Sequence, residues 1–208
     1  MIIYDIETGA LPLTEIEKAM PEFKADSRLK DPAKIEADIA EKRAEFIDRA
    51  ALSPTTGQIL SIGYLGPQPE DIGIYFADDM GGEAFLIKAF FSNMATRPTM
   101  IGFNTHSFDL PFIMRRAWFH GLPVPRELLQ RYFPDYFVDL LIVWQAGTRD
   151  QKISLNNMAK FFGIGEKNGE AKDFAKYYAE DRTKAIEYLS NDLRMTYECA
   201  KRMIHLDI

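Results

Sequence analysis

The sequence predicts an α/β fold in which helices cover a mixed β-sheet. Three observations support this: strand-like segments are concentrated in the first half of the chain, helical periodicity dominates the last third, and the two alternate between them. The 208 residues contain no internal repeat, and their number is ordinary for one domain with one hydrophobic core. We therefore expect residues 1–208 to form a single domain around one sheet.

Five apolar segments rich in β-favouring residues are predicted as strands. They lie at residues 1–7, 58–65, 72–77, 99–103 and 137–141. The second and third are separated only by a turn that contains Gly66, Pro67 and Pro69. Because a connection this short joins antiparallel neighbours, we expect these two strands to pair in a hairpin.

Helices are predicted where capping residues precede periodic apolar positions. Asp31-Pro32 is expected to start one helix, since aspartate is a favoured N-cap and proline is tolerated at the first helical position. Ser154 is expected to cap another helix that continues to Phe162. The Gly81-Gly82 pair is expected to break the chain before a third helix. This third helix and the remaining ones are predicted at residues 83–93, 108–120, 171–179 and 183–205.

Composition and charge exclude several classes of protein. With 47% hydrophobic and 27% charged residues the chain is globular in character, and no apolar run approaches the roughly 20 residues that span a bilayer. The N-terminus lacks the features of a signal peptide. A formal net charge of −6 argues against a broad basic surface that coats nucleic acid. The lone Cys199, expected to be buried, excludes an internal disulfide and favours a reducing, cytoplasmic location.

Asp5 and Glu7 are the first pair of residues that suggests chemistry. They lie at alternate positions of the first predicted strand, so their side chains share one face. Two carboxylates this close repel each other unless a cation lies between them. The alternative is a polar strand end, and the Asp-x-Glu pattern alone leaves both interpretations open.

Asp109 is the second candidate. The fourth predicted strand leads into a short polar loop that begins at Asn104, and Asp109 falls in the first turn of the helix that follows. An acidic residue at this point is also favoured by the helix dipole, which presents partial positive charge at the N-terminus. The position of Asp109 taken alone therefore does not separate a functional role from a structural one.

Tyr188 and Asp192 are the third candidates. They are four residues apart in the long C-terminal helix, so the phenol and the carboxylate lie on one helical face. Such a pair also stabilises a helix without any catalytic role, and its spacing alone is common.

Taken together, the three elements resemble the DEDD superfamily of 3′-to-5′ exonucleases, in its tyrosine branch. The order is Asp-x-Glu, then Asn-x-x-x-Phe-Asp, then Tyr-x-x-x-Asp, and the stretch 102–112 is similar to the proofreading domain of B-family DNA polymerases. The histidine branch requires a histidine where this sequence has Glu187. The resemblance implies an RNase H-like fold with a five-stranded mixed sheet. It also implies a free-standing exonuclease domain in which residues 8–57 form a helical insertion.

The resemblance implies roles for eight residues. The implied ligands of two Mg²⁺ or Mn²⁺ ions are four carboxylates: Asp5, Glu7, Asp109 and Asp192. Oxygen ligands suit these hard cations, and the absence of a His/Cys cluster disfavours zinc. Tyr188 is implied to orient the attacking water. Asn104, Phe103 and Phe108 are implied to contact the substrate, although aromatic residues at a strand-to-helix junction are more often part of the core.

Several functional alternatives stay open. The leading hypothesis is hydrolysis of single-stranded DNA from the 3′ end to nucleoside 5′-monophosphates; the runner-up substrate is RNA or short oligoribonucleotides. A non-catalytic nucleic-acid-binding module on the same fold is the third. The 8–57 segment is expected to be either a lid or clamp over substrate or a decoration covering a sheet edge. The glycine-rich loop containing Lys167 is expected to be a flexible surface loop, with phosphate contact by Lys167 or Lys172 as the alternative.

Overall fold

The fold is that of a five-stranded mixed sheet with helices on both faces, as predicted. The computed structural model describes residues 1–68, 70–148 and 152–204. The strands are β1 (Ile2–Ala10), β2 (Gly57–Leu65), β3 (Ile72–Phe76), β4 (Met100–Gly102) and β5 (Phe137–Asp139). Their spatial order is β3-β2-β1-β4-β5. β2 and β3 pair antiparallel, which confirms the predicted hairpin, whereas β4 pairs parallel with both β1 and β5. Pro69 of the predicted turn lies outside the described residues.

The helices begin largely at the residues that the capping signals indicated. They are α1 (Leu13–Ala19), α2 (Pro32–Asp48), α3 (Met80–Met94), α4 (Asp109–Phe119), α5 (Leu140–Gln145), α6 (Leu155–Phe161), α7 (Phe174–Glu180) and α8 (Arg182–Ile204). The Asp31 side chain accepts a hydrogen bond from the Ala33 amide at 2.9 Å, and Ser154 accepts one from the Asn157 amide at 3.2 Å. His205, predicted as the last residue of the C-terminal helix, lies outside the described residues. No helix in the described part of the chain is long and apolar enough to cross a membrane.

The predicted end of β1 and the predicted start of α3 are wrong. β1 continues past Glu7 to Ala10 although glycine and alanine disfavour strands, because the chain stays paired there and the Leu11 amide donates to the Thr56 carbonyl at 2.9 Å. The Gly81-Gly82 pair lies inside the first turn of α3 and not before it. Asp79 caps this helix by accepting from the Gly82 amide at 2.7 Å, and this bond makes glycine acceptable in the first turn.

α5 was not predicted: its first two residues fall within the strand predicted at 137–141, and its last four fall in no predicted element. β5 ends at Asp139, whose carboxylate accepts a hydrogen bond from the Leu141 amide at 2.9 Å. An aspartate in this position offers the backbone an N-cap, which favours helix over continued strand. The strand-to-helix change therefore depends on one polar side chain within an otherwise apolar segment.

The alternation of side chains along β1 divides the core into two layers. Ile3 packs with residues of α5, α6, α7 and α8, and the buried Cys199 of α8, as predicted, belongs to this layer. Tyr4 and Ile6 face the opposite side and pack with residues of α3 and α4. Asp5 and Glu7 share the face of Ile3, because alternate residues of a strand point the same way. They are thereby placed on the side of the sheet that α8 covers.

The chain divides into two compact units. Residues Thr8–Gln58 form one, and Met1–Glu7 with the described residues from Ile59 onward form the other. The smaller unit contains α1 and α2, and α2 has no buried residue. Within this unit the rings of Phe23 and Phe46 meet edge to face at 5.8 Å, and Arg43 pairs with Glu17 at 2.9 Å.

Candidate metal centre

Three of the predicted carboxylates converge. Asp5 and Glu7 extend from β1 toward the helical layer that contains α8, and Asp192 lies on α8. One oxygen from each of these three side chains can be chosen so that all lie within 4.8 Å of one another. Residues almost two hundred positions apart in sequence therefore form one acidic cluster, which we call the carboxylate cluster.

Asp109 lies beside the carboxylate cluster and is anchored by the backbone of β1. Its Oδ1 accepts a hydrogen bond from the Ile6 amide at 3.2 Å, and its charge acts on Asp5. The Ile6 amide is available because β4 is only three residues long: it pairs with Ile2 and Ile3 and does not extend to Ile6. α4 begins at Asp109, so the carboxylate also lies in the first turn of a helix, as predicted.

Electrostatic repulsion and removal from water act together on the carboxylate cluster. Burial raises the pKa of Asp5 well above its usual value, and the charges of Asp109, Glu7 and Asp192 raise it further. Burial and the charge of Asp192 raise the pKa of Glu7 in the same way. Burial also raises the pKa of Asp109, to about 7. Four acids held this close are therefore poorly stabilised as anions unless a positive charge accompanies them.

Tyr188 is buried next to Asp192 and keeps its proton. Burial raises the pKa of the Tyr188 hydroxyl, and the negative charges of Glu7, Asp192 and Asp5 raise it further. The hydroxyl hydrogen-bonds the Asp192 carboxylate. A phenol that holds its proton this firmly is suited to donate a hydrogen bond and unsuited to act as a base.

Lys167 supplies a positive charge inside the cluster, and sequence reasoning did not place it there. Its Nζ forms an ion pair with Oδ2 of Asp192 and donates to the Tyr188 hydroxyl at 3.2 Å. Burial raises the pKa of Asp192, and Lys167 acts against that rise. Lys172, the other lysine considered for this loop, pairs instead with Glu170 at 2.7 Å. The only sequence signal for Lys167 was its position in a glycine-rich loop, which does not identify a tertiary partner.

The loop carrying Lys167 lies at the surface, as expected, and hydrogen bonds hold it between two helices. The Lys167 amide donates to Oδ1 of Asn156 on α6 at 2.8 Å. From α8, Asn191 donates to the Glu166 carbonyl at 3.2 Å. Asn168 in turn donates to the backbone carbonyl of Glu187 on α8 at 3.3 Å. The lysine is thus positioned by the helices on either side.

The loop before Asp109 is organised by Asp139, a residue that the sequence analysis did not single out. The two oxygens of the buried Asp139 carboxylate accept hydrogen bonds from the amides of Asn104 and His106 at 2.8 and 2.9 Å. Asn104 has a positive φ of 59°, a conformation that asparagine tolerates better than most residues. A Cβ at Gly102 would lie 2.2 Å from the Thr105 side chain, so the turn leaves room only for glycine. Asp139 thereby fixes the backbone that leads into α4.

The two predicted aromatic contacts lie near the site but not fully inside the core. Phe103 is half-buried and packs against the layer that contains α8. Phe108 is also half-buried, and its ring lies 5.5 Å from that of the fully buried Phe112. Phe112 is therefore a core residue, whereas Phe103 and Phe108 each keep part of the ring accessible.

The donor set of the carboxylate cluster fits a divalent cation. Among the described residues, Oδ1 of Asp192 is buried and has no hydrogen-bond partner. An unpaired buried carboxylate oxygen is costly, and a cation would satisfy it. The three clustered side chains, Asp5, Glu7 and Asp192, offer only oxygen ligands, which Mg²⁺ and Mn²⁺ prefer.

Comparisons with known proteins agree with this architecture. A family model described as the RNase H superfamily matches residues 47–199. This range includes Asp109, Tyr188 and Asp192 but begins after Asp5 and Glu7. The structure is similar to that of the family B DNA polymerase from the hyperthermophilic archaeon Pyrobaculum calidifontis, with a TM-score of 0.58 and 15% identity; the match covers 98% of this chain and 24% of the polymerase. No curated protein sequence matches the chain significantly.

Proposed function

The chain belongs to the RNase H superfamily, and from this premise we propose that it is a metal-dependent 3′-to-5′ exonuclease that acts on single-stranded DNA. The observation that carries the proposal is the convergence of Asp5, Glu7 and Asp192 within 4.8 Å. Asp109, bonded beside them to the backbone of β1, completes a set of four acids. The similarity to a DNA polymerase supports DNA over RNA as the substrate, although the chain spans only about a quarter of that protein.

The metal ions of the proposal are two Mg²⁺ or Mn²⁺ ions. Asp5 would bind both, Glu7 and Asp192 would bind one, and Asp109 would contribute to the other. Bound ions of this kind lower the pKa of a coordinated water and offset the charge that develops on the phosphoryl oxygens. The raised carboxylate pKa values and the unpaired oxygen of Asp192 support this assignment.

Tyr188 has a positioning role in the proposal. Its hydroxyl keeps the proton near neutral pH because burial and three neighbouring carboxylates raise its pKa. It therefore orients the attacking water by a hydrogen bond and does not deprotonate it. Lys167, bonded to the same hydroxyl and to Asp192, fixes the orientation of both groups.

Substrate contacts in the proposal come from the loop before α4. Asn104, held in place by the Asp139 carboxylate, contacts the terminal nucleotide, and the partly accessible rings of Phe103 and Phe108 stack on bases. Asp139 has a positioning role here, since its carboxylate holds the backbone amides of Asn104 and His106.

The test is degradation of a 5′-labelled single strand of DNA, and of the matching RNA, with Mn²⁺, with Mg²⁺ and with chelator. We expect a ladder that shortens from the 3′ end only when metal is present. Faster degradation of the RNA than of the DNA would identify RNA as the substrate. Resistance of both strands under all conditions would contradict the proposal and favour a binding module.

Asp192→Ala should abolish the ladder, and the matched control is Glu187→Ala on the same helix. The Glu187 side chain is exposed, and its backbone carbonyl, which the substitution keeps, accepts the hydrogen bond from Asn168. Activity that survives in Asp192→Ala, or that is lost equally in the control, would contradict the assigned site.

A further inference from the structure

A groove on the outer face of α4 lies between this helix and the segment that follows it. Its volume is about 300 Å³. Pro111, Met114 and Trp118 line the groove from α4, and Leu129 and Phe133 line it from the other side. The walls are therefore largely apolar, and the flexible side chain of Met114 can adapt to different apolar ligands.

The groove is separate from the candidate metal centre. An α-helix turns by about 100° per residue, so Met114 and Trp118 lie about 140° and about 180° around α4 from Asp109. The inner face of α4 packs with Tyr4 and Ile6, on the side of the sheet opposite to the carboxylate cluster. The groove is thus turned away from the bond that the proposed exonuclease cleaves, and its ligand is a different molecule or segment.

The groove and its rim leave large apolar side chains in water. Trp118 is 55% exposed, Leu129 is 53% exposed, and Tyr132, next to Phe133 in the chain, is 75% exposed. Exposing several such side chains together is unfavourable, and a surface of this kind marks an interaction site. Tryptophan and tyrosine are also among the side chains that contribute most to binding at protein interfaces.

The groove is flanked by positive charge although the chain carries a formal net charge of −6. Arg115 lines the groove, and Arg126 and Arg131 lie in the segment that forms its other wall. All three are exposed, and none of them forms an ion pair with a carboxylate of the described residues. Three free guanidinium groups around an apolar hollow complement a ligand that carries negative charge.

The carboxylates of the same stretch do not neutralise these arginines. Residues 111–136 contain two, Glu127 and Asp135. The Glu127 carboxylate is engaged, since it accepts from Arg97 at 3.1 Å and from the Tyr136 hydroxyl at 2.7 Å. Asp135 alone is left against three arginines, so this surface keeps a positive charge.

The lining of the groove favours a peptide over a nucleic acid. Single-stranded nucleic acids bind mainly through their phosphates and by stacking bases on aromatic rings, and neither contact uses the aliphatic side chains of Leu128 and Leu129 in the lining. A hollow of about 300 Å³ accommodates an apolar side chain such as leucine or phenylalanine. An apolar centre with a charged rim is also the usual anatomy of a protein–protein interface.

We propose that the α4 groove docks an acidic segment of a partner protein. An apolar side chain of that segment fills the hollow between Trp118 and Leu129, and its carboxylates pair with Arg115, Arg126 and Arg131. Guanidinium groups bind carboxylates through two parallel hydrogen bonds, which favours arginine for this contact. The docking does not depend on the proposed exonuclease activity, because the groove lies away from the carboxylate cluster.

The experiment selects short random peptides, displayed on phage, against the full-length protein. We expect the enriched peptides to combine several aspartates or glutamates with a leucine or an aromatic residue. Enrichment of basic or uncharged peptides, or of none, would overturn the proposal. A synthetic copy of an enriched peptide should change the fluorescence of Trp118 in a Trp144→Phe background, which removes the other tryptophan, and its affinity should fall as salt rises.

Matched variants locate the binding of the synthetic peptide. Trp118→Ala and Arg115→Glu should each weaken it about tenfold or more, as loss of a central interface residue does. Phe85→Ala and Lys88→Glu on α3, which alter an exposed ring and an exposed cation elsewhere, should leave it unchanged. Equal weakening by the α3 variants, or wild-type affinity in both groove variants, would overturn the proposal.

Nucleic acid is the competing occupant, and two measurements separate it from the peptide. Single-stranded DNA that displaces the peptide from Trp118 in chelator would assign the groove to nucleic acid and overturn the proposal. Trp118→Ala should degrade labelled DNA at the wild-type rate, and a loss of that activity would also overturn it. A wild-type protein that binds the peptide and cleaves no nucleic acid would contradict the proposed function and leave the docking site standing.

Discussion

Lys167→Met tests whether a built-in positive charge stabilises the carboxylate cluster before metal binds. The substitution removes the charge that pairs with Asp192 and keeps an unbranched side chain that is one atom shorter. Removing one partner of a fully buried pair destabilises a protein by about 3–5 kcal/mol. Lys167 is 25% exposed and Asp192 can take up a proton instead, so we expect about 2 kcal/mol.

The assay is thermal unfolding followed by circular dichroism in chelator and in saturating Mn²⁺. In a domain of this size about 2 kcal/mol lowers Tm by about 4–8 °C. Because a divalent cation supplies the missing charge, the difference between variant and wild type should shrink in Mn²⁺, and the variant should bind Mn²⁺ more tightly.

The matched control is Lys160→Met, which removes the ion pair with Glu166. Both side chains of that pair are at least half exposed, so the expected change in stability is close to zero. The reasoning would be refuted if Lys167→Met had the Tm of the wild type in chelator, or if its Tm were lower than that of the wild type by the same amount with and without Mn²⁺.

Three further predictions concern the same centre. Asp5→Ala deletes the carboxylate assigned to both ions, so it should remove the increase in Tm that Mn²⁺ gives the wild type and lower turnover by several orders of magnitude. Calorimetric titration with Mn²⁺ measures the loss of binding, and the labelled-strand assay measures the loss of turnover. Tyr188→Phe should lower turnover on the order of 10²-fold while Mn²⁺ affinity is kept, and loss of Mn²⁺ affinity would contradict a positioning role. In chelator, Tm should fall as the pH rises from 5 through 7. Burial raises the pKa of Asp109 to about 7, so the folded protein holds the proton of this carboxyl more tightly than the unfolded chain does, and loses that stabilisation as the proton leaves. Mn²⁺ should flatten this dependence, and a Tm that rises over the same range in chelator would contradict the raised pKa.

The sequence was sufficient for features that depend on local periodicity. Strand alternation predicted that Asp5 and Glu7 share a face, and helical spacing predicted the same of Tyr188 and Asp192. The N-cap rules located the starts of α2 and α6 at Asp31 and Ser154, because a cap is a contact between residues close in sequence.

Features that depend on tertiary contacts were not predictable in this way. The role of Lys167 depends on how far the loop before α7 lies from α8, and no periodicity encodes that distance. The ordering of the Asn104 loop by Asp139 joins segments 33 to 35 residues apart through backbone amides, which every residue but proline carries. α3 starts before the two glycines because the N-cap Asp79 outweighs their low helix propensity. Residue propensities alone did not predict which of these two effects is larger.

The anchoring of Asp109 by the main chain of β1 restricts which mutations can disturb it. The donor is the amide of Ile6, so replacing the isoleucine by any other amino acid except proline leaves the donor in place. The substitutions accepted at position 6 are then limited by packing against α3 and α4 and not by the hydrogen bond to Asp109. Lengthening β4 by a few residues would have the opposite effect: the extended strand would compete for that amide and release the aspartate without altering either residue.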